Sequence, residues 1–305
     1  MKIVILGATG FLGGLVTSRL AHEGHQIVCL VRNPELRDAQ TNVEYILATL
    51  DDTQAVADHA RDADYLLHFA WDTTPGTSKA QPALEAVNNL LPTFRLIEQL
   101  HSLSSSQLIF ISSSGAIYDE KGASSFSESS PLNPKSYYGA GKLAVEMFLR
   151  AYSAQTTHPV VLVRPSNVYG PGQQTKRQFA IVPTLMRAIS DGATFPVWGD
   201  GAATRDYLYA EDFAEFFVLL TERQWEGVST FNLASQKSCS INDLCELLQK
   251  VSGKRLSLEY LPERGVDLHD VAIDCSRANT ELGWQATTEL EEGLVKTWEW
   301  FVRSR

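Results

Sequence analysis

The chain has 305 residues, with 26 Lys and Arg against 36 Asp and Glu, and a formal net charge of -10 at pH 7. That length fits one large α/β domain or a nucleotide domain with a smaller companion, and the acidic balance leaves no basic stripe to displace counterions from a nucleic acid. No apolar run approaches the roughly 20 residues of a spanning helix, Met1-Lys2 leads into a strand rather than a signal peptide, and the four cysteines lack metal-ligand spacing, so a reduced cytoplasmic protein with no membrane or metal partner is expected.

The stretch Lys2 to Leu20 organises the rest of the chain. Ile3 to Leu6 is a continuous apolar run of the kind a strand buried on both faces requires. Gly7, Gly10 and Gly13 come next at G-x-x-G-x-x-G spacing, with a helix predicted from Phe11. Such a turn tolerates positive φ, lets a pyrophosphate approach backbone N–H groups where no Cβ intervenes, and aims the positive helix end at the phosphates.

A second strand, Gln26 to Val31, ends at Arg32. An acid here accepts from the ribose 2′-OH of NAD, whereas an arginine accommodates a 2′-phosphate, so Arg32 leans toward NADP, with NAD as the alternative. Asn42 to Leu47 reads as a third strand, Asp52 to Arg61 as a short helix and Tyr65 to Ala70 as a fourth strand holding a core histidine, His68. Lys79 to His101 has helical periodicity, with Pro92 expected to kink or break it. Leu108 to Ile111 is a fifth strand, followed by the run Ser112-Ser113-Ser114. A surface loop from Asp119 to Ser136 leads to a helix over Tyr137 to Tyr152, and Val160 to Val163 is the sixth strand. This alternation specifies a doubly wound parallel sheet. Beyond Arg164, helices are predicted near Phe179 to Ile189, Ile241 to Val251 and Leu290 to Val302, within a smaller lobe.

The chemical signal is Tyr138-Gly-Ala-Gly-Lys142. Four residues apart on a helix, the phenol and ammonium share one face. A phenol titrates near 10 in isolation, and Lys⁺ together with an oxidised nicotinamide would lower it toward a working base. Ser114, after a strand, would hydrogen-bond the same substrate oxygen.

With these motifs, GATGFLG, HFA, Asn88-Asn89, SSSGAIY, SESSPLNPKSYYGAGK, RPSNVYGPG, GDGAATRDYLYAED, RGVD and ELGW, the chain resembles the extended short-chain dehydrogenase/reductases, specifically the nucleotide-sugar epimerase/dehydratase family. The resemblance implies a Rossmann dinucleotide-binding domain over 1–168, with part of 206–235 returning to it, and a substrate-binding lobe over 169–305. It implies Ser114, Tyr138 and Lys142 as catalytic. The dinucleotide would meet Gly7, Gly10, Phe11, Leu12, Gly13, Arg32, Leu50, Phe69, Ala70, Tyr138, Lys142 and Pro165. A nucleotide sugar would meet Asn89, Ser114, Asn167, Val182, Arg205, Arg264 and Asp267, the two arginines gripping the diphosphate. A homodimer is implied as well.

Departures from the family narrow the chemistry. Gly115 and Ala116 stand where 4,6-dehydratases carry an Asp-Glu pair, and Ala116 and Gly172 stand where the GDP-fucose synthase type carries its cysteine and histidine. Thr49 replaces an aspartate that contacts adenine, and Trp71 replaces a small residue beside the nicotinamide. What remains is hydride transfer at C4. The leading expectation is NADPH-dependent reduction of a nucleotide-linked 4-keto-6-deoxysugar, and the alternative is a UDP-hexose-type 4-epimerase with retained NAD. A catalytically silent dinucleotide sensor is disfavoured because the Tyr-Lys pair is kept.

Overall fold

The computed structural model describes residues 1–34, 41–101, 106–119, 125–175, 180–262 and 272–305. Its strands are β1 (Lys2–Leu6), β2 (Gln26–Val31), β3 (Val43–Leu47), β4 (Tyr65–His68), β5 (Gln107–Ile111), β6 (Val160–Pro165), β7 (Asn167–Tyr169), β8 (Thr194–Trp198), β9 (Thr204–Tyr209), β10 (Val228–Leu233), β11 (Ser238–Ser240) and β12 (Ser257–Leu261). Its helices are α1 (Phe11–His22), α2 (Thr53–Ala60), α3 (Pro82–Glu85), α4 (Leu91–Leu100), α5 (Ser114–Ile117), α6 (Tyr137–Thr156), α7 (Ile181–Asp191), α8 (Ala210–Thr221), α9 (Ile241–Ser252), α10 (Ser276–Leu282) and α11 (Leu290–Arg303).

The apolar runs become one seven-stranded parallel sheet in the order β10-β6-β5-β4-β1-β2-β3. β1 pairs with β2 on one side and with β4 on the other, so the chain reverses its direction of progress across the sheet at β1. A doubly wound sheet opens its ligand crevice at that switch point, beyond the carboxyl ends of the strands. Val4, Leu6, Leu66, Leu108, Phe110 and Leu162 from the strands pack against Val56, Leu96, Val145 and Leu149 from the helices in one buried core.

The chain divides into two compact units, the first comprising Met1–Ile117, Pro134–Arg164 and Ala214–Phe231, the second Tyr118–Asn133, Pro165–Phe213 and Asn232–Arg305. Within the first, the helix predicted over 79–101 arrives in three pieces. A π-helical turn over Ala86–Leu90 separates α3 from α4. Pro92 lacks an N–H and its ring crowds the carbonyl four residues back, and the wider π-turn relieves both. This turn buries Asn89 completely. The second unit holds the three-stranded sheet β11-β9-β7 and the pair β12-β8. Tyr169, Tyr207 and Tyr209 pack there with Leu185, Leu244, Leu248 and Leu294. Trp284 of the late ELGW motif is buried and donates from Nε1 to the Asp212 carbonyl at 2.9 Å. No described helix is long and apolar enough to cross a membrane.

Candidate active site

The glycine turn is built by close backbone approach. Gly7 has φ +84°, and a Cβ there would lie 2.7 Å from the Ala70 nitrogen. A Cβ on Gly13 would lie 2.3 Å from the Gly7 carbonyl oxygen. Gly10 stands at the N-cap of α1 with no side chain to cap the helix, its own N–H donating to the Gly7 carbonyl at 3.0 Å. Phe11 and Leu12 are half-buried in the first turn of the helix. Phe69 and Ala70 come just after the end of β4, Leu50 packs at the margin of the core, and Pro165 closes β6. Arg32 is exposed directly after β2.

The catalytic candidates sit on the same unit. Ser136 caps α6, its hydroxyl accepting from the Gly139 N–H at 3.0 Å, which fixes the start of the helix that carries Tyr138 and Lys142. Ser114 opens α5, a short helix not foreseen from the sequence; its Oγ is buried with no hydrogen-bond partner among the described residues. An orphaned hydroxyl after a sheet strand is what an orienter of a substrate oxygen presents in the protein alone. The helix-end turn without Cβ atoms and this unspent hydroxyl both fit a dinucleotide and its substrate.

Lys142 is almost fully buried. Its Nζ donates to the Ile111 carbonyl at 2.7 Å and lies 3.8 Å from the Trp71 ring centroid. Burial pulls its pKa down to about 7, with Glu85 and Glu146 acting to raise it. Glu146, one turn on, is paired with buried Arg164 through Nε to Oε1 at 2.9 Å. The expectation for the Tyr138 phenol combines Lys142 with the positive charge of an oxidised nicotinamide. Burial and then Glu85 push that phenol up, and a Ser113 hydroxyl acts the other way. The Lys142 ammonium lies 5.8 Å from the Tyr138 ring centroid. His68 is the buried histidine expected, its Nε2 3.2 Å from Thr93 Oγ1.

Asn167, Arg205 and Val182 belong to the second unit. Asn167 is exposed on β7 and donates to the Asp206 carbonyl at 3.1 Å. Arg205 is half-buried on β9, with its guanidinium donating to the Thr204 carbonyl at 2.7 Å. Val182 is buried in the second core, packed with Leu185 and Met186. Asp206 anchors this region, accepting from the Ser166 hydroxyl at 2.7 Å, the Ser235 N–H at 2.8 Å and the Lys237 N–H at 3.2 Å. Arg264 and Asp267 lie outside the described residues.

A family model for the NAD-dependent epimerase/dehydratases matches residues 3–234, spanning every element of the catalytic unit. The chain belongs to that family. A UDP-glucose 4-epimerase from Mycolicibacterium smegmatis is 30% identical over 309 residues, covering 99% of this chain and 98% of the relative. The crystal structure of a UDP-glucose 4-epimerase with UDP-glucose from Thermotoga maritima has a TM-score of 0.90 at 26% identity, covering 100% of this chain and 99% of that one. A UDP-glucuronic acid 4-epimerase from Bacillus cereus, in complex with UDP-glucuronic acid and NAD, has a TM-score of 0.89 at 26% identity, covering 100% of both chains. As an epimerase/dehydratase-family enzyme, the chain is better matched by the epimerase alternative than by the reductase that the sequence put first, and NAD is better supported than NADP. An exposed arginine after β2 was too little to decide the cofactor, because a solvated side chain occupies that position equally well.

Three residues went unassigned in the sequence. Ser113, the neighbour of Ser114, is the hydroxyl beside Tyr138. Thr73 and Glu85 form a buried polar cluster with Asn89, and the signal for Glu85 was a lone acid four residues before Asn89 on a helix otherwise read for its apolar face.

Proposed function

We propose that this epimerase/dehydratase-family chain is a nucleotide-sugar 4-epimerase acting on a UDP-hexose with a retained NAD. The observation that carries it is the placing of Lys142 against the Ile111 carbonyl at the end of β5, of Tyr138 beside Trp71 just beyond β4 and of Ser114 just beyond β5, in a chain matched nearly end to end by 4-epimerases. The glycine turn, Phe11, Leu12, Phe69, Ala70 and Lys142 would hold NAD, which would supply hydride acceptance and return at C4 and a positive charge favouring the Tyr138 phenolate. Tyr138 takes the proton of the C4 hydroxyl and gives it back after the 4-keto sugar has presented its other face. Ser114 donates to the same oxygen in both half-reactions. Asn167 and Arg205 hold the nucleotide end of the substrate.

Incubation with UDP-glucose and no added cofactor should yield UDP-galactose, and the denatured protein should release near-stoichiometric NAD. A protein that purifies empty and consumes NADPH with a nucleotide-linked 4-keto sugar would restore the reductase reading.

The same reading includes a homodimer. The first unit exposes Val87, Leu91, Met147 and Phe148, and Phe94 stacks on Phe148 with centroids 4.1 Å apart. A second copy would cover this apolar face of α4 and α6. Light scattering should show a dimer that Met147→Asp with Phe148→Asp converts to monomer; a monomeric wild type would refute it.

A further inference from the structure

Glu85 is a carboxyl with 3% exposure, and none of the catalytic roles assigned to Ser114, Tyr138 and Lys142 uses it. Its Oε2 accepts from the Thr73 hydroxyl and its Oε1 from Asn89 Nδ2 at 3.1 Å. The direction of each bond is forced. Thr73 Oγ1 receives an N–H from Trp71 Nε1 at 3.1 Å and another from Asn89 Nδ2 at 3.0 Å, so its single proton is left for Glu85. Asn89 Oδ1 accepts from the Asp72 N–H at 2.8 Å, which fixes the orientation of its amide. Every donor is thus aimed at an acceptor-only carboxylate, and the Trp71 indole is tethered to that carboxylate through one hydroxyl.

The other side of Glu85 is the catalytic helix. A Cβ on Gly141 would lie 2.6 Å from Glu85 Oε1 and 2.9 Å from its Cγ, so α6 carries Tyr138 and Lys142 past the carboxylate only with glycine between them. Thr73 and Asn89 bring the carboxylate hydrogen bonds but no charge. Glu146, the other acid facing Lys142, is matched by the Arg164 guanidinium, with Arg150 at 3.9 Å. Among the described residues, His68 on β4, Tyr138 on α6 and Phe110 and the Ile111 carbonyl on β5 also face Lys142.

We propose that Glu85 is a positioning residue for the epimerisation, holding the Trp71 face over Lys142 through Thr73 and supplying the unspent negative charge that keeps this buried ammonium protonated. The proposal rests on the reading of Lys142 as part of the catalytic set. The titration of Lys142 near neutrality is in keeping with it, because a carboxylate at this place decides the fraction of ammonium at working pH.

The test tracks the Lys142 ammonium by NMR of lysine-labelled protein and the Trp71 indole N–H signal, assigned with Lys142→Met and Trp71→Phe. Glu85→Gln puts an amide N–H₂ against a donor and removes the charge. It should move the Lys142 titration down by about one pH unit and shift the Trp71 signal. The pH profile of kcat for UDP-glucose should move by the same amount, with KM within about twofold. Gly141→Ala leaves every polar group in place and pushes only Glu85 aside, so it should move both signals in the same direction and decides the matter if Glu85→Gln does not fold. Variants whose Lys142 and Trp71 signals stay at the wild-type positions would overturn the proposal. A chain with both shifts that epimerises no UDP-sugar would remove the 4-epimerase reading and leave this one standing.

Discussion

The two units solve different problems with their polar groups. The first unit buries charges: Lys142, Glu146, Arg164 and Glu85 are all nearly or fully inaccessible. Each is held by named partners, so the acid/base groups are fixed before substrate arrives and need no reorganisation. The second unit keeps Asn167 exposed and Arg205 half-buried, and spends its buried acids on securing loops, Asp206 through Ser166, Ser235 and Lys237 and Asp212 through Thr287 and Thr288. The first unit thus keeps its charged groups in the interior, whereas the second leaves Asn167 and Arg205 accessible. The two halves should therefore fail differently when altered.

The largest effect is expected at Tyr138. Tyr138→Phe should lower kcat about 10³-fold, a range that general acid/base groups span, while KM and the urea midpoint stay near wild type. A comparable loss of stability would mean that the phenol is structural. Next in size is Glu146→Gln, which takes the carboxylate of a buried ion pair away from Arg164. Breaking such a pair costs about 3–5 kcal/mol and should show as a large drop in the denaturation midpoint. A near-neutral Glu146→Gln would break the contrast between the units. In the second unit, Arg205→Ala should raise KM for UDP-glucose roughly 10- to 100-fold through lost charge-assisted hydrogen bonds, with kcat less affected. A pure kcat effect would assign Arg205 to the chemistry instead.

How much of the molecule was legible depends on where the information lies in the chain. The buried strands were read to within a few residues at their ends, because an apolar run bounded by Gly or polar residues has few other fates. β2 matches its predicted bounds, Gln26 to Val31, at both ends. Tyr138 and Lys142 could be proposed because they stand four apart on one helix, and Ser114 because it follows a buried strand. Local pattern could not place the π-turn before Pro92, since a proline announces a break without saying how the helix accommodates it. Nor could it join Trp71, Thr73 and Glu85, which meet across a loop and a helix start. Nor does spacing carry the desolvation of the Tyr138 phenol, which is a property of the assembled core.

The smallest effect tests the contrast by pH. Burial, and then the charge of Lys142, hold His68 at about 3, against an ordinary value of 6.5. Between those values the unfolded chain binds a proton that the folded chain does not, so this histidine makes stability fall as pH drops through the window. Asp206 has the opposite sign. Burial raises its carboxyl against its hydrogen bonds, so the folded state takes up a proton first and acid favours the fold there. His68→Leu removes only the first contribution, and the Thr93 hydroxyl stays satisfied because it donates to the Asn89 carbonyl at 2.7 Å. The urea midpoint of the variant should therefore decline less steeply than that of wild type from pH 6.5 toward pH 4. Parallel curves would mean that His68 takes up its proton in the folded state as readily as in the unfolded one, and that the interior of the first unit accepts charge more easily than its packing implies.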